Sequence, residues 1–105
     1  QCSNTAVLAR RLGARYRFGP KSLEDLVAVQ RQIVADTFAL LSDEGRLLYA
    51  TCSLEAAENE RQVERVASLH RMRVESTTRR MPAGLPGDPP AMYSDGGFSA
   101  MLGPA

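Results

Sequence analysis

The chain has 105 residues, of which 44% are hydrophobic and 24% are charged, and its 13 basic and 12 acidic residues give a formal net charge of +1. This composition is typical of a globular domain and excludes a disordered charged tail, a disulfide-dense miniprotein and a collagen-like chain. No apolar run approaches the roughly 20 residues of a membrane-spanning helix, so a membrane is not expected as a partner. With two cysteines and no secretory signal, the sequence predicts reduced thiols and a cytoplasmic location.

The charges are segregated along the chain. Residues 1–21 carry five basic and no acidic residues, whereas the remaining 84 carry eight basic and twelve acidic residues. Interleaved with Tyr16 and Phe18, the basic side chains could follow a phosphate backbone while the rings stack on bases. The alternative is a solvated loop whose cations pair with acidic neighbours, and composition alone favours that alternative. The candidate RNA-binding residues are Arg10, Arg11, Arg15, Arg17 and Lys21.

The first predicted element is a helix over residues 23–41. Apolar residues recur at three- and four-residue spacing on one face. Ser22 is a natural N-cap and Asp25 lies three positions further on, as in a capping box. Gly45 is expected to supply the left-handed turn that ends the helix. The predicted face is Leu23, Leu26, Val27, Gln30, Ile33, Val34, Thr37, Phe38 and Leu41.

A strand, a helix and a second strand follow. Residues 46–52 form a short, almost continuous apolar run, which is typical of a strand buried on both faces of a parallel sheet. A helix is predicted over residues 55–69, with Ser53 as its cap and with Val63 and Val66 on its buried face. Residues 71–76 alternate in the manner of a half-exposed strand.

Residues 77–94 hold four of the six prolines and predict a Pro/Gly-rich loop without regular structure, either a functional flap or a flexible insertion. A last short strand is predicted at residues 98–102, after the Asp95-Gly96-Gly97 turn. The order helix, strand, helix, strand, loop, strand is that of half an α/β sheet domain, without a glycine-rich cofactor loop. Residues 1–105 are therefore expected to be a single, partial catalytic domain.

Two cysteines are the main candidates for chemistry. Cys52 ends the first strand, at the edge of the sheet where α/β proteins bind ligands, and a helix amino terminus directly after it would favour the thiolate. A small buried apolar residue is an equally good interpretation of that position alone. No metal is expected, because there is no C-x-x-C pair and His70 is the only histidine.

The run Thr51-Cys52-Ser53-Leu54, followed by Glu58-Asn59-Glu60, resembles the T-C-S-[LI]-x-x-x-E-N-E motif of the Sun/Fmu-type (NOL/NOP/Sun) RNA cytosine-5 methyltransferases. Cys2-Ser3 resembles the family's D-x-P-C-S segment, and residues 26–33 resemble its L-x-x-x-Q-x-x-[IL] helix. Asp95-Gly96-Gly97-Phe98 is similar to the late D-G-[FA]-F segment. These resemblances follow one another in the family's order across nearly the whole chain.

The resemblance implies an S-adenosylmethionine-dependent enzyme that methylates carbon 5 of cytosine in RNA, most often ribosomal RNA, with transfer RNA as the main competitor. It assigns Cys52 as the thiolate that attacks carbon 6 and Cys2 as the thiol that assists product release. Thr51, Ser53, Glu58, Asn59 and Glu60 complete the motif. The resemblance also implies that the basic segment contacts RNA. RNA binding is therefore preferred here over the solvated loop that composition alone favours.

The resemblance implies the carboxyl half of a Rossmann-like methyltransferase sheet, since the family's S-adenosylmethionine-binding motifs precede this segment. We therefore expect the 105-residue piece alone to be inactive and to self-associate through an unpaired sheet edge. The alternative function is a non-catalytic RNA-binding or assembly module that retains the fold. A generic α/β fragment is disfavoured by the match of the eleven residues 50–60 to the family's T-C-S and E-N-E run.

Overall fold

In the computed structural model of the chain, residues 2–3, 20–84, 87–92 and 94–105 are described. Helix α1 is Pro20–Phe38, strand β1 is Leu47–Thr51 and helix α2 is Glu60–Leu69. Strand β2 is Met72–Arg80, a short 3₁₀ helix is Pro90–Met92 and strand β3 is Gly97–Pro104. The predicted alternation of helices and strands is confirmed.

The three strands form one sheet in the order β1-β3-β2, and β3 is antiparallel to both neighbours. Strands β1 and β2 therefore run in the same direction and are linked through α2, with β3 inserted between them. The prediction that β1 lies in a parallel sheet and is buried on both faces is wrong for this part of the chain. Leu47 and Tyr49 are buried, but Leu48 between them is 61% exposed, which is the alternation of an antiparallel strand with one solvated face.

One face of the sheet carries the hydrophobic core. In β1, Leu47 lies opposite Leu102, and Tyr49 lies opposite Ala100. Because alternate residues of a strand point to the same face, these side chains cover one side of the sheet, where both helices pack. The buried apolar core is Val34, Leu47, Tyr49, Val63, Val66, Met72, Phe98, Ala100 and Leu102.

Helix α1 begins three residues earlier than predicted, so Ser22 and Asp25 lie inside it and Ser22 is not its N-cap. Most of the predicted inner face is correct, but Ile33 is 47% exposed and Thr37 is exposed. The hydroxyl of Thr37 donates a hydrogen bond to the Ile33 carbonyl at 2.7 Å, as is common for threonine within a helix.

Gly45 does not have the left-handed conformation that the sequence predicts, since positive φ among the described glycines occurs at Gly84 and Gly87. Its role is to leave space. A Cβ atom at residue 45 would lie 2.6 Å from Cδ1 of Leu41 and 3.0 Å from the carbonyl oxygen of Ser42. The chain therefore turns closely at residues 42–45 before entering β1.

Helix α2 begins at Glu60 rather than at residue 55. Residues 56–59 instead form turns, with the amides of Glu58 and Asn59 donating to the Glu55 carbonyl at 3.1 Å. The Ser53 hydroxyl accepts a hydrogen bond from the Glu55 amide at 3.0 Å, so it caps this turn rather than the helix. Consequently Cys52 is not directly followed by a helix amino terminus, and the predicted helix-dipole effect on its thiol has no structural basis.

Strand β2 extends to Arg80, so the first four residues of the predicted irregular loop are strand. The loop is further closed by a β-bridge, in which the amides and carbonyls of Ala83 and Ser94 exchange two hydrogen bonds of 3.0 Å. Strand β3 is confirmed and is longer than predicted. A register shift between Val74 and Ser76 leaves Glu75 in a bulge.

Candidate active site

Residues Cys2 and Cys52, 50 positions apart, meet at the end of β1. Their Sγ atoms are 2.8 Å apart without a disulfide, and either thiol could donate to the other. Both side chains are half-buried, so the pair lies at the boundary between the core and solvent. The structure thus brings together the two cysteines that the family resemblance selects.

The serines that follow the two cysteines also meet. The Ser3 hydroxyl lies 3.2 Å from the Ser53 hydroxyl, and both serines are buried. Both hydroxyls donate to Oε2 of Glu58, that of Ser3 at 2.6 Å. The backbone amide of Ser3 donates to Oε1 of Glu58 at 2.7 Å. One carboxylate therefore contacts both Cys-Ser dipeptides.

Glu58 is completely buried, and a fourth donor, Nε2 of Gln30, reaches its Oε1 at 3.0 Å. An ionised carboxylate in such a place requires several hydrogen bonds to offset the loss of hydration. Gln30 comes from the middle of α1, where it occupies a position on the apolar face. This helix therefore contributes directly to the polar centre beneath the cysteines.

Asn59 holds the turn that contains Cys52. Its side-chain amide donates to the Ser53 carbonyl at 2.8 Å, and its Oδ1 accepts a hydrogen bond from the Thr51 hydroxyl. The Thr51 hydroxyl oxygen in turn accepts from the Ser53 amide at 3.2 Å. The residues on both sides of Cys52 are thus held by one fully buried side chain.

The third residue of the E-N-E triplet, Glu60, forms an ion pair with Arg79 of β2. The Arg79 guanidinium lies 5.9 Å from the centre of the Phe98 ring. Each residue of the triplet therefore has a different structural partner. Glu58 binds the two serines, Asn59 holds the Cys52 turn, and Glu60 pairs with the neighbouring strand β2.

Three further residues belong to the polar centre and were not predicted as site residues. The Tyr49 hydroxyl donates to the Glu58 carbonyl at 2.5 Å, and the Gln62 side chain donates to the Val27 carbonyl at 3.0 Å and to Oε1 of Gln30 at 3.1 Å. Burial, followed by the charges of Glu58 and Cys2, raises the pKa of Tyr49 well above its usual range. Gln30, a polar residue on the predicted apolar face of α1, was the one sequence signal that could have revealed this polar centre.

A cavity of about 300 Å³ opens at the same edge of the sheet, beside Thr51. The segment Asp95-Gly96-Gly97-Phe98 forms one wall, and Thr78 and Arg80 of β2 form another. Gly97 allows a close approach, because a Cβ atom there would lie 3.2 Å from the Thr51 carbonyl oxygen, which is tighter than most Cβ contacts. The late motif of the sequence therefore lies against the strand that leads to Cys52.

Of the candidate RNA-binding residues, Lys21 is exposed in the first turn of α1. Arg10, Arg11, Arg15 and Arg17 lie outside the described residues. Within the described ranges, no group of three or more histidine, cysteine, aspartate or glutamate side chains is arranged to hold a metal ion. In the same ranges, no helix combines the length and apolarity needed to cross a membrane.

The residues described do not fit S-adenosylmethionine. A nucleotide-like cofactor in an α/β sheet is normally held by a glycine-rich turn between a strand and the helix that follows it. The connection between β1 and α2, residues 52–59, contains no glycine and is filled by the buried side chains of Ser53, Glu58 and Asn59.

The sequence is similar to those of a known protein family. A profile of the family described as 16S rRNA methyltransferase RsmB/F matches residues 1–87. The ribosomal RNA small subunit methyltransferase B of Pectobacterium carotovorum is 34% identical over 103 residues, which cover 96% of this chain and 24% of that protein. The ribosomal RNA small subunit methyltransferase F of Klebsiella pneumoniae is 32% identical over 74 residues, covering 70% of this chain and 16% of that protein.

The fold is also similar to that in the crystal structure of PH0851, with a TM-score of 0.72 and 23% identity, over 98% of this chain and 25% of that chain. Fold and motifs together define part of a Rossmann-like methyltransferase domain. The chain belongs to the 16S rRNA methyltransferase RsmB/F family. It spans about a quarter or less of the length of these relatives.

Proposed function

We propose that the chain is the carboxyl-terminal catalytic segment of an S-adenosylmethionine-dependent RNA cytosine-5 methyltransferase that acts on ribosomal RNA. The observation that carries the proposal is the contact between the Cys2 and Cys52 thiols at the end of β1. A reaction that needs only a nucleophile would use one thiol. A reaction in which one thiol adds to the base and a second thiol assists release of the product gives a role to both thiols at this site. Family membership supports methyl transfer to ribosomal RNA as the overall reaction.

In this mechanism the Cys52 thiolate forms a bond to carbon 6 of cytosine, which makes carbon 5 nucleophilic. When bound, S-adenosylmethionine would supply the methyl group that carbon 5 accepts. A base then removes the proton from carbon 5, and the released electron pair restores the aromatic ring as the bond between carbon 6 and sulfur breaks and Cys52 leaves as a thiolate. Cys2, within hydrogen-bond distance of the departing sulfur, assists this release.

The target base has to leave its stack to reach the thiols, so an unpaired or flipped cytosine is the expected substrate. We propose that Arg10, Arg11, Arg15, Arg17 and Lys21 hold the RNA backbone. The sequence supports this role, because these residues follow Cys2-Ser3 along the chain within residues 1–21, which carry five basic and no acidic residues.

Covalent trapping tests the proposal in the longer protein that carries this chain. RNA containing 5-fluorocytosine is expected to form a stable adduct, since fluorine at carbon 5 blocks the proton loss that releases the enzyme. Cys52→Ala should abolish the adduct and Cys2→Ala should retain it. An adduct that persists in the Cys52→Ala variant would contradict the assignment. Salt-sensitive RNA binding without any adduct, unchanged when both cysteines are alanine, would instead support a non-catalytic RNA-binding module.

We further propose that the 105-residue chain alone neither binds S-adenosylmethionine nor methylates RNA. The absence of a glycine in the connection between β1 and α2 supports this, as does the short share of the relatives that the chain spans. Isothermal titration of the isolated chain with S-adenosylmethionine is expected to show no binding. Binding in the micromolar range would overturn the proposal.

A further inference from the structure

The carboxylate of Glu58 lies between the two cysteine-bearing segments. Oε1 accepts the backbone amide of Ser3, and Oε2 accepts the hydroxyls of both Ser3 and Ser53. Each serine directly follows a cysteine, so a single side chain fixes both dipeptides from the buried side of the site. Cys2 and Cys52 belong to segments 50 residues apart, and their spacing depends on contacts of this kind.

We propose that Glu58 is a positioning residue that sets the distance between the Cys2 and Cys52 thiols by holding Ser3 and Ser53 on one carboxylate. Glu58 does not touch the thiols in the described contacts and acts through the two serines. The role requires a carboxylate because its two oxygens receive four donors, the fourth being the Gln30 amide. A glutamine side chain has the same shape, but its NH₂ group would face donors where an acceptor is needed.

The Tyr49 hydroxyl and the Gln30 amide fix Glu58 itself. Tyr49 binds the Glu58 backbone carbonyl from β1, while Gln30 binds its carboxylate from α1. Two elements of the fold, β1 and α1, therefore hold Glu58 independently of its contacts with Ser3 and Ser53. These contacts make Glu58 a fixed point to which both cysteine-bearing segments are bound.

The proximity of the thiols can be measured without RNA. Diamide, a diazene oxidant, accepts one hydrogen atom from each thiol and becomes a hydrazine while the two sulfur atoms form a disulfide. In the full 105-residue chain, Glu58→Gln is expected to slow the formation of the Cys2–Cys52 disulfide by at least about tenfold, because intramolecular rates fall steeply when the reacting atoms are displaced. Glu64→Gln, an exposed glutamate on α2, is the matched control and should react like the unmodified chain.

Urea titration of each variant shows whether the variant is folded. A slower rate of disulfide formation in a folded variant can then be attributed to displacement of the thiols rather than to unfolding. Disulfide rates are compared in native buffer, where each variant is folded. A rate for Glu58→Gln within about twofold of the control, in a folded chain, would overturn the proposal. Should Glu58→Gln fail to fold, Ser3→Ala removes one donor to the carboxylate and leaves the others. Slowing of at least about threefold in that variant supports the proposal, and an unchanged rate overturns it.

The role in catalysis rests on the proposed function and has its own readout. In the longer protein, Glu58→Gln should lower kcat for RNA methylation and leave KM for RNA unchanged, since Glu58 does not contact the substrate. The disulfide assay uses neither RNA nor a methyl donor. Failure of the 5-fluorocytosine trap would therefore refute the methyltransferase proposal alone. The disulfide rates would still decide whether Glu58 positions the two thiols.

Discussion

The Tyr49 hydroxyl donates a 2.5 Å hydrogen bond to the backbone carbonyl of Glu58 and so ties strand β1 to the turn that carries the central carboxylate. Tyr49 lies in the middle of β1, opposite Ala100 of the central strand β3, and its ring is part of the hydrophobic core. The same side chain thus contributes its ring to the core and its hydroxyl to the polar centre of the site.

Tyr49→Phe is expected to lower the free energy of unfolding at neutral pH by about 1 to 2 kcal/mol, because it removes a buried hydrogen bond and leaves the ring in place. Burial raises the pKa of Tyr49 above its unfolded value of 10.0, so the folded state favours the protonated phenol. The stability that this provides is fully present below pH 10 and is lost as the pH rises through the folded-state pKa.

Urea unfolding of both proteins at several pH values above and below 10 checks this relationship. The unmodified chain should lose stability more steeply than Tyr49→Phe above pH 10, and the two should have parallel pH profiles below it. Parallel profiles throughout the alkaline range would show that the phenol does not titrate differently in the folded state.

Leu102→Ala is expected to destabilise the chain by about 2 to 5 kcal/mol. Leu102 is completely buried on the central strand, opposite Leu47 of β1 and Val74 of β2, so its truncation leaves a cavity in the hydrophobic core. Leu40→Ala is the control, since Leu40 is 88% exposed and should change stability by less than about 0.5 kcal/mol. Denaturant unfolding measures both, and equal effects would contradict the placement of the core.

Asn59→Ala should cost about 2 to 3 kcal/mol, because it leaves the Ser53 carbonyl and the Thr51 hydroxyl without their buried partner. The comparison is Gln32→Ala, which removes an exposed amide that donates to Asp36 within α1 and should cost less than about 0.5 kcal/mol. Thermal unfolding of the two variants measures the difference. A cost for Asn59→Ala no larger than that for Gln32→Ala would show that the amide does not hold the Cys52 turn.

The isolated chain is expected to self-associate through the outer edge of β1. In the described part of the chain β1 pairs on one side, with β3, and Leu48 within β1 is 61% exposed. The outer edge of β2 is less suited to pairing, because it contains a bulge at Glu75 and several charged side chains. These features point to β1 as the edge that pairs.

Leu48→Lys should therefore shift sedimentation toward the monomer, whereas Leu40→Lys, at a more exposed leucine outside the sheet, should not. Sedimentation velocity at two protein concentrations distinguishes the variants. An equal shift in both would indicate non-specific hydrophobic association rather than edge pairing.

The elements of this fold could be predicted well from local patterns, but their pairing could not. Periodicity correctly predicts α1, β1, α2, β2 and β3 because helix and strand periods are properties of neighbouring residues. The insertion of β3 between β1 and β2 depends on hydrogen bonds between residues about 50 positions apart, such as Thr51 and Phe98. This pairing, which local periodicity does not encode, also explains why β1 has one solvated face.

The candidate site could likewise be predicted only in part from the sequence. The sequence by itself determined the pair of cysteines and the E-N-E triplet, because these residues and their spacing can be recognised along the chain. Only the tertiary structure decided that Glu58 lies beneath both Cys-Ser dipeptides and that Gln30 and Tyr49 fix it there. The physical reason is that a buried carboxylate takes its hydrogen-bond donors from whichever segments the fold brings within 3 Å of it, and those segments are distant in sequence.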